Sequence, residues 1–205
     1  MSKYHDDRTA ASDAVGISLS DERLCGLEPK LYGWRSIFCR ILIHGRPYNA
    51  RQARQLLAEH VRGGDSRAAM VVRRNPLLVA AYTDEQDCVV LLEFPRWLAD
   101  EHRLDEGSKL LTINTYVHGG TPAADLVLGP NSLGRWTNFY PVIAQFVSDD
   151  RPRIENRMRA ITTAEWDRTV TFAQALISQP TFSVRDGHPT NSFRPGKVVP
   201  RDYAG

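Results

Sequence analysis

Hydrogen-bonding side chains alternate along one run, Lys109–His118 (KLLTINTYVH), where Thr112, Asn114, Tyr116 and His118 fall on the same face of an extended chain. The other face carries Leu111, Ile113, Thr115 and Val117 and is mostly apolar. Polar groups on alternate positions form either the floor of a polar pocket or a solvent-facing sheet surface. The strand ends at His118-Gly119-Gly120-Thr121, where glycine lets a ligand or another backbone approach closely. Asp125 lies just beyond and can orient the His118 imidazole. In an enzyme built on this face, His118 is the general base, Asp125 its orienter, and Asn114 and Tyr116 are hydrogen-bond donors to substrate.

Charge is segregated elsewhere. Residues 46–74 hold seven arginines against Glu59 and Asp65, a net of +5. Residues 83–106 hold eight acids against Arg96 and Arg103, a net of −6. Arg51, Arg54 and Arg62 lie around the polar side of an amphipathic helix. Such a face can meet a protein partner, a second copy of the chain, its own acidic segment, or a phosphate backbone. The adjacent acidic segment repels a polyanion, so nucleic acid ranks last. All basic residues except Lys3, Lys30, Lys109 and Lys197 are arginine, a bias that GC-rich coding also produces.

Strong motifs are absent. There is no dinucleotide or P-loop glycine pattern, no HExxH and no calcium loop, so no cofactor or metal is expected. Gly129-Pro-Asn-Ser132-Leu-Gly134 has one residue too many for a nucleophile elbow and reads as a turn. Asp84, Glu85 and Asp87 read as a solvated hairpin tip. Cys39 and Cys88 read as small buried hydrophobes, and Trp136, Phe139 and Tyr140 as core.

The elements that position these residues centre on two apolar runs, Leu77–Tyr82 and Cys88–Phe94, joined by five polar residues. Neither run alternates, which predicts a hairpin in mid-sheet covered on both faces. A strand over Ser36–His44, a turn at Gly45–Tyr48 and a helix capped by Asn49 and stopped at Gly63-Gly64 precede it. A further strand at Ala68–Arg73 leads into the hairpin, and a short helix from Pro95 follows it. Asp150 and the box Thr162…Glu165 cap two later helices. The chain of 205 residues, 42% hydrophobic and 24% charged, therefore reads as α+β. The expected sheet is mainly antiparallel, with about five or six strands and about four covering helices. Residues 1–30 are expected to be mostly disordered, 31–179 a single domain, and 180–205 an irregular tail. No apolar window suits a membrane span or a signal peptide, and a cytoplasmic protein is the expectation.

On these grounds the first functional reading is a soluble binding or protein-interaction module without intrinsic catalysis. The alternative is a small hydrolase or transferase using His118 and Asp125, with Thr112, Asn114 and Tyr116 as ligand contacts. An arginine-mediated nucleic-acid binder through Arg51 and Arg54 is third.

Overall fold

Ser20 accepts a hydrogen bond from the Arg23 amide and starts the first helix, α1 (Asp21–Leu27). Its Leu24 and Leu27, with Leu31 of a following 3₁₀ turn, are buried in the core. The Ser20 amide also donates to the Val147 carbonyl at 2.8 Å, and Ser148 Oγ donates to Ser18 O at 2.7 Å. The part of the N-terminal segment seen here is thus docked rather than disordered, because its few leucines share one face. The computed structural model describes residues 13–33, 40–43, 46–132 and 134–203. Of the strand expected over Ser36–His44, only Arg40–Ile43 lies within them, and Cys39 lies outside.

Strands β1 (Arg40–Ile43) and β2 (Arg46–Asn49) form a separate antiparallel ribbon with Leu42 opposite Pro47. The expected turn at 45–48 is therefore mostly strand, since a ribbon edge tolerates proline. Helix α2 (Ala50–Gly63) begins with the Asn49–Gln52 capping box, and Ala53, Leu57, His60 and Val61 form its buried face. Next come β3 (Asp65–Arg73), β4 (Leu77–Thr83), β5 (Cys88–Phe94), α3 (Trp97–Glu101), β6 (Lys109–His118) and β7 (Trp136–Ile143). The short α4 (Ala144–Val147), then α5 (Arg151–Ala160) and α6 (Thr163–Ile177), lead to β8 (Thr181–Asp186) and β9 (Lys197–Pro200). Asp150 and Thr162 cap α5 and α6 as their spacing predicts. The Glu165 carboxylate does not return to its own helix start. It accepts from the Ala68 amide at 2.8 Å and ties α6 to β3.

The sheet order is β7-β6-β3-β4-β5-β8-β9, antiparallel except for the β5–β8 pair. The β4–β5 hairpin is central, paired without interruption from Leu77↔Phe94 to Thr83↔Cys88. Leu78, Ala80, Tyr82, Val89 and Leu91 pack with Ala173 of α6. The alternate residues Leu77, Val79, Ala81, Val90 and Leu92 join the larger cluster that holds Leu24, Phe139 and Phe146. Both faces are covered, which is what apolar runs without alternation require. Residues 180–205, expected to be irregular, instead supply two strands, and Phe182, Val184 and Val199 are buried. Among the described residues no helix is long and apolar enough to cross a membrane.

The hairpin tip is not solvated as a whole. Asp87 takes a left-handed backbone (φ 48°), and its carboxylate accepts from Arg168 at 3.0 Å, Tyr82 at 3.1 Å and the Asn131 amide at 2.9 Å. Glu85 accepts from Trp136 Nε1 at 2.9 Å. The apolar hairpin draws its own tip inward, and the acids there are met by donors from β3, β7, α6 and the loop at Asn131.

Candidate functional site

Burial decides the fate of the polar strand face. Thr112, Asn114 and Tyr116 lie wholly inside, opposite Asp65 and Arg67 of β3. Thr112 Oγ1 donates to Asn114 Oδ1 at 2.8 Å, and Asn114 Nδ2 to Tyr82 O at 2.8 Å. Tyr116 donates to Asp65 Oδ2 at 2.9 Å, and Arg67 holds Asp65 at 2.8 Å and Asp84 at 2.7 Å. This face is an internal polar network rather than a ligand floor, because each side chain already has a protein partner. Burial, only partly offset by Arg67, pushes the Asp65 carboxyl up to about 6.

His118 and Asp125 are not brought together. His118 is exposed, its ring centre 6.0 Å from that of Trp136 and nearly perpendicular to it. Both Asp125 oxygens meet Arg185, at 2.7 and 2.8 Å, and Oδ2 also accepts the Gly196 amide at 2.8 Å. Arg185 further donates to Phe139 O and Asn138 Oδ1, each at 2.9 Å. Strand β8 thereby reaches β7 although four strands separate them in the sheet order, so the sheet curls strongly.

Of the helix arginines, Arg51 is exposed, while Arg54 donates to Leu31 O and lies 4.7 Å from the Tyr32 ring centre. Part of the charge contrast is satisfied within the chain. Arg74 pairs with Asp100 at 2.6 Å and Asp105 at 2.8 Å.

The arrangement with most chemical capacity lies at the carboxyl ends of β5 and β8, where Glu93 is opposite Asp186. Gly187 crosses β5 so closely that a Cβ there would sit 2.5 Å from the Phe94 ring. Asp186 then organises the turn. It accepts from the His188 amide at 3.0 Å and Asn191 Nδ2 at 2.7 Å, and meets His188 Nδ1 at 2.5 Å. Buried Glu28 holds the far side of the turn, accepting the Thr190 amide at 3.0 Å. A cleft of about 520 Å³ opens here, with Glu93, Asp186, His188, Asn191, Arg194 and Lys197 among its lining. Lys197 is bound to Glu93 at 2.9 Å and to the Tyr203 hydroxyl at 2.6 Å. Arg194 lies over the Phe193 ring and has no carboxylate partner among the described residues.

Burial alone would raise Asp186, but the His188 ring and amide and Asn191 more than reverse it, to about 2. The Asp186 contact raises His188 above the ordinary imidazole value of 6.5, against an opposing effect of burial. When the ring is neutral, Nδ1–H donates to Asp186 and Nε2 is the basic nitrogen. The site can present an imidazolium beside Arg194 to an anion, or transfer a proton through Nε2.

Sequence reading missed this cleft because it treated residues 180–205 as tail. The Asp-Gly-His spacing of 186–188 was the one available signal. No family model, no curated protein and no solved structure matches the chain.

Proposed function

We propose that the protein is a binding module for a small carboxylate- or phosphate-bearing ligand, received in the β5–β8 cleft by His188 and Arg194. The observation that carries this reading is the His188–Asp186 contact on the wall of that cleft. A fixed imidazolium and an arginine without an acidic partner offer charge-assisted donors, each worth roughly 1.5–3 kcal/mol when satisfied. Titration with inorganic phosphate and with acetate, followed by calorimetry in wild type and variants and through the His188 ring resonances in wild type, tests it. His188→Gln and Arg194→Gln should each weaken binding by about tenfold, which corresponds to about 1.4 kcal/mol. Binding unchanged in both variants would overturn the assignment.

The same contact supports a second reading as a small hydrolase or transferase, with neutral Nε2 as general base. The proposed base is then His188 oriented by Asp186, in place of His118 and Asp125. A screen of ester, phosphate and amide substrates separates the two readings. Turnover that disappears in His188→Gln would favour the enzyme.

A further inference from the structure

Two further clefts lie among α1, α3, α4 and α5 and share one wall. The larger, about 520 Å³, is lined by the cations Arg23, Arg103 and Arg151 and by His102, against the carboxylates Glu101 and Glu155. The smaller, about 280 Å³, has Gly26, Trp97, Leu98 and Phe146 as its apolar lining and Glu22 and Asp149 among its polar lining. Arg23, Glu101 and His102 border both. From this geometry we propose a second binding site, for an amphiphilic organic anion. Arg103, Arg151 and His102 hold its phosphate or carboxylate head, and Trp97 receives its apolar body.

The charge of the larger cleft is arranged for an anion. Arg23 is committed to Asp149 and to Gln145 O, and Glu101 lies 3.7 Å from it. Arg103 and Arg151 have no carboxylate partner among the described residues, so their charge is available. His102 Nε2 sits 3.4 Å from Arg23 Nη1, and its ring stands 5.0 Å from Phe146. Burial lowers the His102 pKa, Arg23 and Arg151 lower it further, and Glu101 opposes them. Burial and the cations facing the cleft thus both disfavour the charged ring, and a bound anion opposes them.

The smaller cleft accounts for the apolar part. Trp97 is 42% exposed, one of the few large apolar side chains in the protein left to solvent. Helix α1 runs beside it at Gly26, where even a Cβ would be in ordinary van der Waals contact with the indole, at 3.8 Å. Arg103 adopts a left-handed backbone (φ 52°) immediately after His102, where the chain leaves α3 along the cleft. A strained non-glycine residue on a cleft wall is a recurrent mark of a ligand site.

The test is a tryptophan-fluorescence titration of the full chain with phenyl phosphate, alongside inorganic phosphate and phenol. Phenyl phosphate should give a saturable change that is lost in Trp97→Phe. Inorganic phosphate should compete more weakly, and phenol should bind at least about tenfold more weakly. Arg103→Gln and Arg151→Gln should each weaken phenyl phosphate about tenfold, with Arg151→Lys intermediate. The His102 ring should titrate at higher pH in the complex, and His188→Gln should leave all of this unchanged. Phenol binding as tightly as phenyl phosphate would remove the anionic head from the proposal. Equal affinity for inorganic phosphate would remove the apolar body. Indifference to both arginine variants would overturn the site.

Discussion

Arg185 and Asp125 are joined by two parallel contacts, Nε to Oδ2 at 2.7 Å and Nη2 to Oδ1 at 2.8 Å, with side chains 1% and 4% exposed. Asp125 is thereby a structural counter-ion, not a histidine orienter. Asp125→Asn should cost about 3–5 kcal/mol in chemical denaturation, because it leaves a buried guanidinium without its charge partner. A role confined to orienting His118 would leave stability almost intact. Arg185→Met combined with Asp125→Leu should recover much of the loss, which a double-mutant cycle would read directly.

Removal of residues 181–203 takes β8 and β9 out of the sheet and uncovers Leu91 and Val89. Phe182, Val184 and Val199 alone bury side chains worth roughly 1.5–3 kcal/mol each. Truncation before Thr181 should therefore abolish cooperative unfolding by calorimetry. A truncated chain that melts like the full one would show that β8 adds nothing to the core.

The Asp65 carboxyl, raised from 3.8 to about 6, gives stability a defined pH dependence. Below 3.8 the group is protonated in both states. As pH rises to about 6 the unfolded chain releases its proton first, so the folded state loses relative stability. Asp65→Asn removes that loss. Compared with wild type, the variant should gain on the order of 3 kcal/mol between pH 4 and pH 7. Urea denaturation at several pH values is the measurement, and parallel stability curves would refute the assignment.

His188 should give the opposite kind of readout, in binding. The Asp186 contact raises its pKa, so the ring stays cationic to higher pH than an ordinary imidazole. Phosphate affinity at the β5–β8 cleft should hold while the ring is cationic and fall as it deprotonates. Asp186→Asn should move the fall to lower pH, because the contact that raises the ring is weakened. An affinity that does not vary with pH would mean that His188 does not hold the anion.

The central hairpin substitution tests the fold itself. Val79 is completely buried and Val90 nearly so. Val79→Asp should leave no soluble folded protein, since an unpaired carboxylate there has neither water nor a partner. Recovery of a cooperatively folded variant would place the hairpin elsewhere.

The parts of the fold legible in sequence are those set by local pattern. Apolar runs at 77–82 and 88–94 announce a doubly covered hairpin, and Asn49, Asp150 and Thr162 announce helix starts. Strand β8 escaped because TFSVRD places an arginine in the core, which composition cannot distinguish from a surface strand. Its counter-ion lies 60 residues away, so no local window contains the pair. The polar face of β6 was visible, but its direction was not. Whether Asn114 and Tyr116 face a ligand or Asp65 depends on which strand lies beside β6. The β5–β8 cleft needed that same long-range pairing before Asp186 and His188 could be seen to border Glu93.

The parallel partnership of β5 with β8 also sets an order of events during synthesis. Leu91 cannot meet Val184 until residues some ninety positions later have left the ribosome, and Glu28 waits longer for Thr190, 162 residues away. Until then β5 presents an open, strongly apolar edge to the surrounding medium, a template for any other nascent chain. The strand that covers this edge is thus made long after the edge itself, and β5 depends on protection until β8 has emerged.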